Sequence, residues 1–359
     1  MPEVLIAGGG SGGHVAPAIA VAEALQSEGT GVILVHSSRS IDQEMLSSSP
    51  FYHQAISASP LRLSPTGLLS FCNSFIKATN ETKELIKKHD VRCVLSTGGF
   101  VAAPALKAAN KLGVHTILLN LDNPPGKANR LATRWANEKL TTVACDWPDA
   151  RMIAPPIRRA SLEHPKPEIC KQQLNLDPRL STLLVTGASQ GAKTVNELVL
   201  ALANSFPQSF KGWQVLHIAG EQNKLEVSKL WQQLNVPVVV TGFIHEMGVA
   251  WGAADLAITR GGANTIAEIA FHAVPTVVLP YPFHKDDHQR TNALPLAEIK
   301  GIVLAHDYRL AEKNLEEVGL VIKQLLGDHM ARLQMRQALT SLGQTNGAQC
   351  IAELCSACV

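Results

Sequence analysis

The 359-residue sequence is poor in aromatics, which make up 5% of it. A protein that grips single-stranded nucleic acid by base stacking needs more rings than that. Charge of one sign is also lacking: 32 Lys and Arg stand against 30 Asp and Glu, a formal net charge of +2. A chain whose main task is to neutralise phosphate backbones carries a larger basic surplus, so no nucleic-acid partner is expected. No apolar run reaches the roughly 18 to 20 residues that span a bilayer. The stretch MPEVLIAGGGSGGH has no basic leader and soon breaks into glycines, so it reads as a strand entering a loop and not as a signal peptide. The seven cysteines (Cys72, Cys93, Cys145, Cys170, Cys350, Cys355, Cys358) are odd in number and scattered. Cys355 and Cys358 form a C-x-x-C without a second pair or a nearby His-x-x-x-His, and that spacing alone is a weak metal or redox signal. A reduced, cytosolic protein is the simplest reading.

Apolar residues are plentiful, 46% of the chain, enough for sizeable cores. The length suits two domains of about 150 residues or somewhat more. The layout repeats. EVLIAG (3–8) is a short β-rich run followed by Gly9, Gly10, Gly12 and Gly13, then by AIAVAEAL (18–25) with helical spacing. TLLVTG (182–187) repeats the plan half a chain later, with the glycine-bearing ASQGAK loop and the helix VNELVLALA (195–203). A second pair follows in each half: VRCVLST (91–97) enters Gly98 and Gly99, and ADLAITR (254–260) enters Gly261 and Gly262. Strands alternating with helices imply parallel sheets of βαβ units. Continuous apolar runs such as VPVVVTGF (236–243) and PTVVLPY (275–281) suit strands buried on both faces. The fold class is therefore α/β, with two doubly wound, Rossmann-like domains facing each other across a cleft and joined near IAPPIRR (153–159).

A glycine loop that leads from a parallel strand into a helix presents backbone N–H groups and a positive dipole end to a phosphate. Four such loops, two per half at matching places, point to phosphorylated ligands on both walls. A Walker loop, GxxxxGK[ST], does not occur. Gly8, Gly10 and Gly13 fit a dinucleotide fingerprint, but the next strand, GVILVHSS (31–38), ends without the acidic residue that binds ribose, which disfavours NAD.

At GGSGGHVAPAIAVAEAL (9–25) the sequence resembles the MurG family, the peptidoglycan N-acetylglucosaminyltransferases of the GT-B fold. The likeness continues in the family's order through STGGFVAAP (96–104), TGASQGAKTVNE (186–197), VTGFIHEM (240–247), RGGANTIAEI (260–269) and HKDDHQRTNALPL (284–296). The resemblance implies transfer of GlcNAc from UDP-GlcNAc to the muramoyl 4-hydroxyl of lipid I, with inversion, at the cytoplasmic face of the bacterial inner membrane. It implies an acceptor domain of residues 1–157, completed by 341–359, and a donor domain of 158–340. Donor contacts carry over to Arg158, Ser189, Gln190, Ile244, Ala263, Asn264, Thr265, Glu268, His288, Gln289 and Asn292. The acceptor pyrophosphate falls to Ser11, Gly12, Gly13, Gly98 and Gly99, with His14 and Asn123 as catalytic candidates and His14 as the base. No cofactor is implied. Asp-x-Asp, the usual clip for a nucleotide-bound metal, is absent from the sequence, so a metal-independent reaction is expected. An apolar patch at Leu68, Leu69, Phe71, Cys72 and Phe75, flanked by Arg62, Lys77 and Lys83, matches the region with which the family touches lipid.

The sequence departs from the family at three places. Asn120-Leu121-Asp122-Asn123 stands where His-Glu-Gln-Asn is common, Pro155-Pro156 replaces Asn-Pro, and His288 takes a position where some members have Gln. For Asp122 to replace the lost Glu from the neighbouring strand position, a local bulge is required. The altered stretch leaves open a UDP-sugar transferase with another acceptor, or a nucleotide-sugar-binding protein without turnover.

Overall fold

Each apolar run that precedes a glycine loop becomes a strand in the middle of a parallel sheet. The computed structural model describes residues 3–47, 49–61, 64–187, 192–283 and 287–359. It divides into Met1–Arg158 with Asn346–Val359, and Arg159–Thr345. The expected boundary at 157/158 thus lies at Arg158/Arg159, and the expected return at 341 lies at Asn346.

The strands of the first unit are β1 (Val4–Gly8), β2 (Val32–Ser37), β3 (Tyr52–Ile56), β4 (Cys93–Gly98), β5 (His115–Asn120), β6 (Glu138–Thr141) and β7 (Arg151–Met152). They pair in the order β3-β2-β1-β4-β5-β6-β7, every pairing parallel. Its helices are α1 (Gly12–Ser27), α2 (Ser40–Ser47), α3 (Pro65–His89), α4 (Ala102–Asn110) and α5 (Lys127–Ala132). On one face Leu5, Ile33, Val94 and Leu118 pack against Ile86 of α3 and Ala102 and Leu106 of α4. Gly12 and Gly13, expected in a loop, are instead the first turn of α1.

The second unit begins with α6 (Arg159–Leu162) and α7 (Pro167–Gln173). Its strands are β8 (Ser181–Thr186), β9 (Trp213–Ile218), β10 (Val238–Thr241), β11 (Leu256–Thr259), β12 (Thr276–Val278) and β13 (Ile302–Leu304). They pair in the order β10-β9-β8-β11-β12-β13, again all parallel. Its helices continue with α8 (Lys193–Ser205), α9 (Lys224–Trp231), α10 (Met247–Ala253), α11 (Ala263–His272) and α12 (His288–Glu298). Then come α13 (Ala311–Asn314), α14 (Leu320–Gly327) and α15 (His329–Thr340), before α16 (Ala348–Ser356) rejoins the first unit. Leu183 and Val185 face α8 and α14, while their neighbour Leu184 faces α10 and α11. Burial on both faces explains why this strand reads as an unbroken apolar run. β10 differs. It is an edge strand whose four residues are only half-buried, so its apolar sequence overstates its burial.

A polar network is built into the second core. The Trp231 indole N–H donates to His217 Nδ1 at 2.9 Å, and His217 Nε2 meets Asn196 Oδ1 at 3.0 Å. With Nδ1 accepting, the ring is neutral and Nε2 is its donor. Burial holds His217 down to about 3, and burial likewise lowers His272 to about 4. Both side chains take up protons more readily in the unfolded chain, so their contribution to stability is complete above pH ~6.5 and is lost as the pH falls towards the folded values. Each contributes a slope of about 1.4 kcal/mol per pH unit in that window. Urea unfolding between pH 7.5 and 4.5 should show stability falling with pH, and His217→Gln should flatten the fall. An unchanged slope in that variant contradicts the assignment.

Candidate active site

In each sheet the strand order reverses once, between β1 and β4 in the first and between β8 and β11 in the second. The carboxyl ends of strands at such a switch point leave a crevice for ligand, and the glycine loops sit there.

In the first unit, the penultimate residue of β4 ties the two loops together. Thr97 Oγ1 donates to the His14 carbonyl at 2.7 Å, and the Thr97 carbonyl lies 3.1 Å from His14 Nδ1. A carbonyl only accepts, so Nδ1 carries the proton and Nε2 is the basic nitrogen. Gly98 and Gly99 make the approach possible, with φ of +111° and +79°. A Cβ on Gly98 would lie 2.6 Å from His14 Nδ1, and one on Gly99 only 1.7 Å from the Gly9 carbonyl oxygen. From the other side, the buried Asp42 of α2 accepts from the Gly10 amide at 2.6 Å and from the Ser37 amide and hydroxyl at 3.1 and 2.5 Å. Arg39 donates to the Gly10 carbonyl at 2.7 Å and lies over the Phe100 ring. Ser11 is the N-cap of α1, and Gly12, Gly13 and His14 form its first turn, which holds no acidic residue. That positive helix end suits an anion.

The NLDN stretch is arranged differently from the expectation. β5 ends at Asn120, so Leu121, Asp122 and Asn123 leave the sheet and strand alternation does not govern Asp122. Asn120 is buried and donates to the Asp122 carbonyl at 2.9 Å, while Asn129 of α5 reaches its Oδ1 at 3.4 Å. Asn129 in turn lies against Gly98. Asn120 therefore braces the β4 loop from inside the fold. Asn123 sits half-buried in the bend, and none of the contacts just described among His14, Thr97, Gly98 and Gly99 involves it.

In the second unit Ala263, Asn264 and Thr265 are the first turn of α11, preceded by Gly262 as N-cap and free of acidic residues. It is a second positive helix end of the same kind. Arg260, just before it, is 5% exposed and donates to Asp307 Oδ2 at 2.8 Å, to the Leu279 carbonyl at 2.9 Å and to Thr194 Oγ1 at 2.7 Å. The Thr194 hydroxyl in turn donates a hydrogen bond to Asp307 Oδ2 at 2.5 Å. Burial alone pushes the Asp307 carboxyl up, but hydrogen bonds from Thr194, Asn314, the Arg309 amide and Arg260 outweigh it and hold the group below its ordinary value. This buried pair joins the loops after β11, β12 and β13 to the start of α8. Glu268, one turn along α11, accepts the Trp251 indole N–H at 2.9 Å, so α10 orients its carboxylate. Gln289 Oε1 accepts the amides of Gly261 at 3.3 Å and Tyr281 at 2.8 Å, which commits its carbonyl to the backbone. His288 opens α12 and Asn292 is buried one turn on. Ile244 is half-buried in the loop after β10, and Arg158 is the last residue of the first unit. Ser189 and Gln190 lie outside the described residues.

The partners Thr97, Asp42, Arg39, Trp251, Arg260 and Asp307 were absent from the sequence reading. Thr97 and Arg260, each adjoining a glycine pair, are the two with a local signal in the sequence.

Residues 4–141 match the glycosyltransferase family 28 N-terminal domain, and residues 182–354 match the glycosyltransferase family 28 C-terminal domain. The chain is 32% identical over 354 residues to the UDP-N-acetylglucosamine--N-acetylmuramyl-(pentapeptide) pyrophosphoryl-undecaprenol N-acetylglucosamine transferase of Streptomyces coelicolor, spanning 95% of this chain and 94% of that one. Its counterpart in Corynebacterium diphtheriae is 31% identical over 98% of this chain and 96% of its own. Among solved structures, Acinetobacter baumannii MurG superposes with a TM-score of 0.76 at 24% identity, covering 99% of each chain. Two parallel α/β units with these matches define a glycosyltransferase of the GT-B class. The chain belongs to glycosyltransferase family 28 and, within it, to the MurG family.

The interlock of the two loops makes a direct prediction. Gly99→Ala places a methyl group against the Gly9 carbonyl and should cost more than about 4 kcal/mol of stability. Gly113→Ala, also at positive φ but in open space, should cost only the left-handed penalty of about 1–2 kcal/mol. Equal costs in denaturant titrations contradict the interlock.

Proposed function

We propose that the chain transfers GlcNAc from UDP-GlcNAc to the 4-hydroxyl of the muramoyl sugar of undecaprenyl-pyrophosphoryl-MurNAc-pentapeptide, lipid I, inverting the anomeric carbon. The names of its full-length relatives support the reaction. The observation that carries the mechanism is the Thr97–His14 contact, which leaves Nε2 as the basic nitrogen beside a helix end suited to phosphate. As the acceptor oxygen bonds to the sugar C1, the C1–O bond to UDP breaks and UDP leaves with the electron pair. The hydroxyl proton passes to His14 Nε2. Ser11, Gly12, Gly13, Gly98 and Gly99 hold the acceptor pyrophosphate, and Asn123 lines the acceptor side. Negative charge growing on UDP meets the α11 amides at Ala263, Asn264 and Thr265, donors fixed by the helix, and Arg158, Ser189 and Gln190 complete the donor contacts.

In the same reading Ile244 meets the uracil edge with its backbone, and Glu268 accepts the ribose hydroxyls. His288, Asn292 and the Gln289 amide N–H group orient the GlcNAc hydroxyls. The lipid tail of the acceptor brings the enzyme to the cytoplasmic face of the inner membrane. Among the described residues no helix is long and apolar enough to cross a membrane. The start of α3, by contrast, exposes Leu68, Leu69, Cys72 and Ile76, an apolar surface suited to peripheral contact. Phe71 and Phe75 of the expected patch are half-buried, and Phe75 packs near Trp135 under Lys107.

Incubation with UDP-GlcNAc and a lipid I analogue should give UDP and the β-linked disaccharide lipid. Transfer only to a different acceptor, or donor binding without turnover, overturns the reading. His14→Ala should lower kcat by about 10²–10⁴-fold with little change in the donor KM; near-normal turnover contradicts the base assignment. Glu268→Ala should raise the donor KM by about 10–100-fold. Trp251→Phe, which removes the orienting indole N–H, should raise it by about 3–10-fold while kcat holds. A Trp251 effect confined to kcat or to stability denies it a positioning role.

A further inference from the structure

The C-x-x-C that stands alone in the sequence is not alone in the fold. Cys93, His115 and Glu138 are the first residues of β4, β5 and β6, so they share the amino edge of the first sheet. Cys93 pairs in register with His115, and Glu138 pairs with Ile117, two residues beyond His115. In parallel neighbours this parity puts all three side chains on one face. Onto that edge the returning chain lays α16, which packs against α1 and β4 and brings Cys355 and Cys358 with it. His115 Nε2, a Glu138 carboxylate oxygen and Cys358 Sγ all lie within 4.8 Å of one another, and His115 Nε2 is 2.9 Å from Glu138 Oε1. Cys93 neighbours both Cys355 and Cys358 on this edge. Cys93 and Cys355 are fully buried.

We propose that His115, Glu138 and Cys358 form three positions of a binding site for a zinc-class divalent cation, which staples the C-terminal helix to the sheet edge. The donor set decides the class of ion. Imidazole, carboxylate and thiolate together suit a borderline-soft, tetrahedral cation, whereas magnesium and calcium take oxygen ligands almost alone. The three ligand atoms have only to move by about an ångström to surround a cation. In a tetrahedral site with bonds of about 2.0–2.3 Å, neighbouring ligand atoms stand roughly 3.3–3.7 Å apart. The cation would insert at the contact between His115 Nε2 and Glu138 Oε1, and the Cys358 thiol releases its proton on binding. The segment it would fasten is otherwise held at its start by Asn346 against Ile157, and along the helix by Gln349 and Ser356 against Glu28. The cluster lies about 17 Å, the length of β4 at 3.3 Å per residue, from the Thr97–Gly98 end. This is a structural site away from the transfer chemistry, and the expectation that the reaction itself uses no metal is untouched by it.

The test uses the full chain, reduced and stripped with a chelator. Zinc titrated against a chromogenic competitor should bind at one equivalent per chain, and cobalt in its place should show a thiolate-to-cobalt charge-transfer band. Cys358→Ser and His115→Ala should each weaken binding by more than about 100-fold, beyond the effect of losing an outer-shell partner. Cys72→Ser, at an exposed cysteine elsewhere, should leave it unchanged. Should a variant fail to fold, alkylation of the wild-type chain provides a second readout: zinc should protect Cys358 while Cys72 still reacts. Absence of stoichiometric binding, binding unaffected by Cys358→Ser, or no protection of Cys358 overturns the proposal.

Discussion

The first half of the site depends on one close approach, the packing of the loop after β4 onto the loop after β1. Thr97 bonds His14 twice, through its hydroxyl and its carbonyl, and both contacts require the backbone to pass where any side chain on Gly98 or Gly99 would stand. The same approach sets the histidine tautomer. A loop usually regarded as a phosphate cradle therefore also determines which imidazole nitrogen holds the proton. Asp42 and Arg39 brace the first loop and Asn129 lies against the second, so the loops are fixed before any ligand arrives. Such preorganisation lets donors meet developing charge without reorganising.

The second unit reaches a comparable end by other means. There a buried ion pair, Arg260 with Asp307, binds together the carboxyl ends of β11, β12 and β13 and the start of α8. Desolvating two charges is costly, and a buried pair is weak evidence for stability by itself. Arg260 also donates to the Leu279 and Pro280 carbonyls and to Thr194, which gives the pair a geometric role at the base of the α11 helix end. With polar groups committed to the scaffold in this way, the helix ends can meet diphosphates without a large surplus of Lys and Arg. This is consistent with a net charge of only +2.

Much of this was legible in the sequence because strand, glycine loop and helix recur at matching places in the two halves. The glycines follow β1, β4, β8 and β11, the four strands that flank the two switch points. Residues that act across the fold left no local mark. Asp42 and Trp251 reach their partners from separate helices, and the mates of Cys358 are two strand-first residues, His115 and Glu138, each unremarkable in its own segment. Apolar composition also misled at β10, where an edge strand carries a core-like sequence. At Asp122 the expectation assumed that β5 continued, but it ends two residues earlier.

The contact with the Thr97 carbonyl fixes the tautomer of the neutral His14 ring, with the proton on Nδ1 and the lone pair on Nε2. Nitrogen NMR of the full chain labelled at histidine, with His14 assigned by difference against His14→Ala, reads this directly. In the neutral form of the ring, Nδ1 should carry the hydrogen and Nε2 should show the shift of an unprotonated nitrogen. A neutral ring that carries its hydrogen on Nε2, or one averaging between tautomers, contradicts that arrangement.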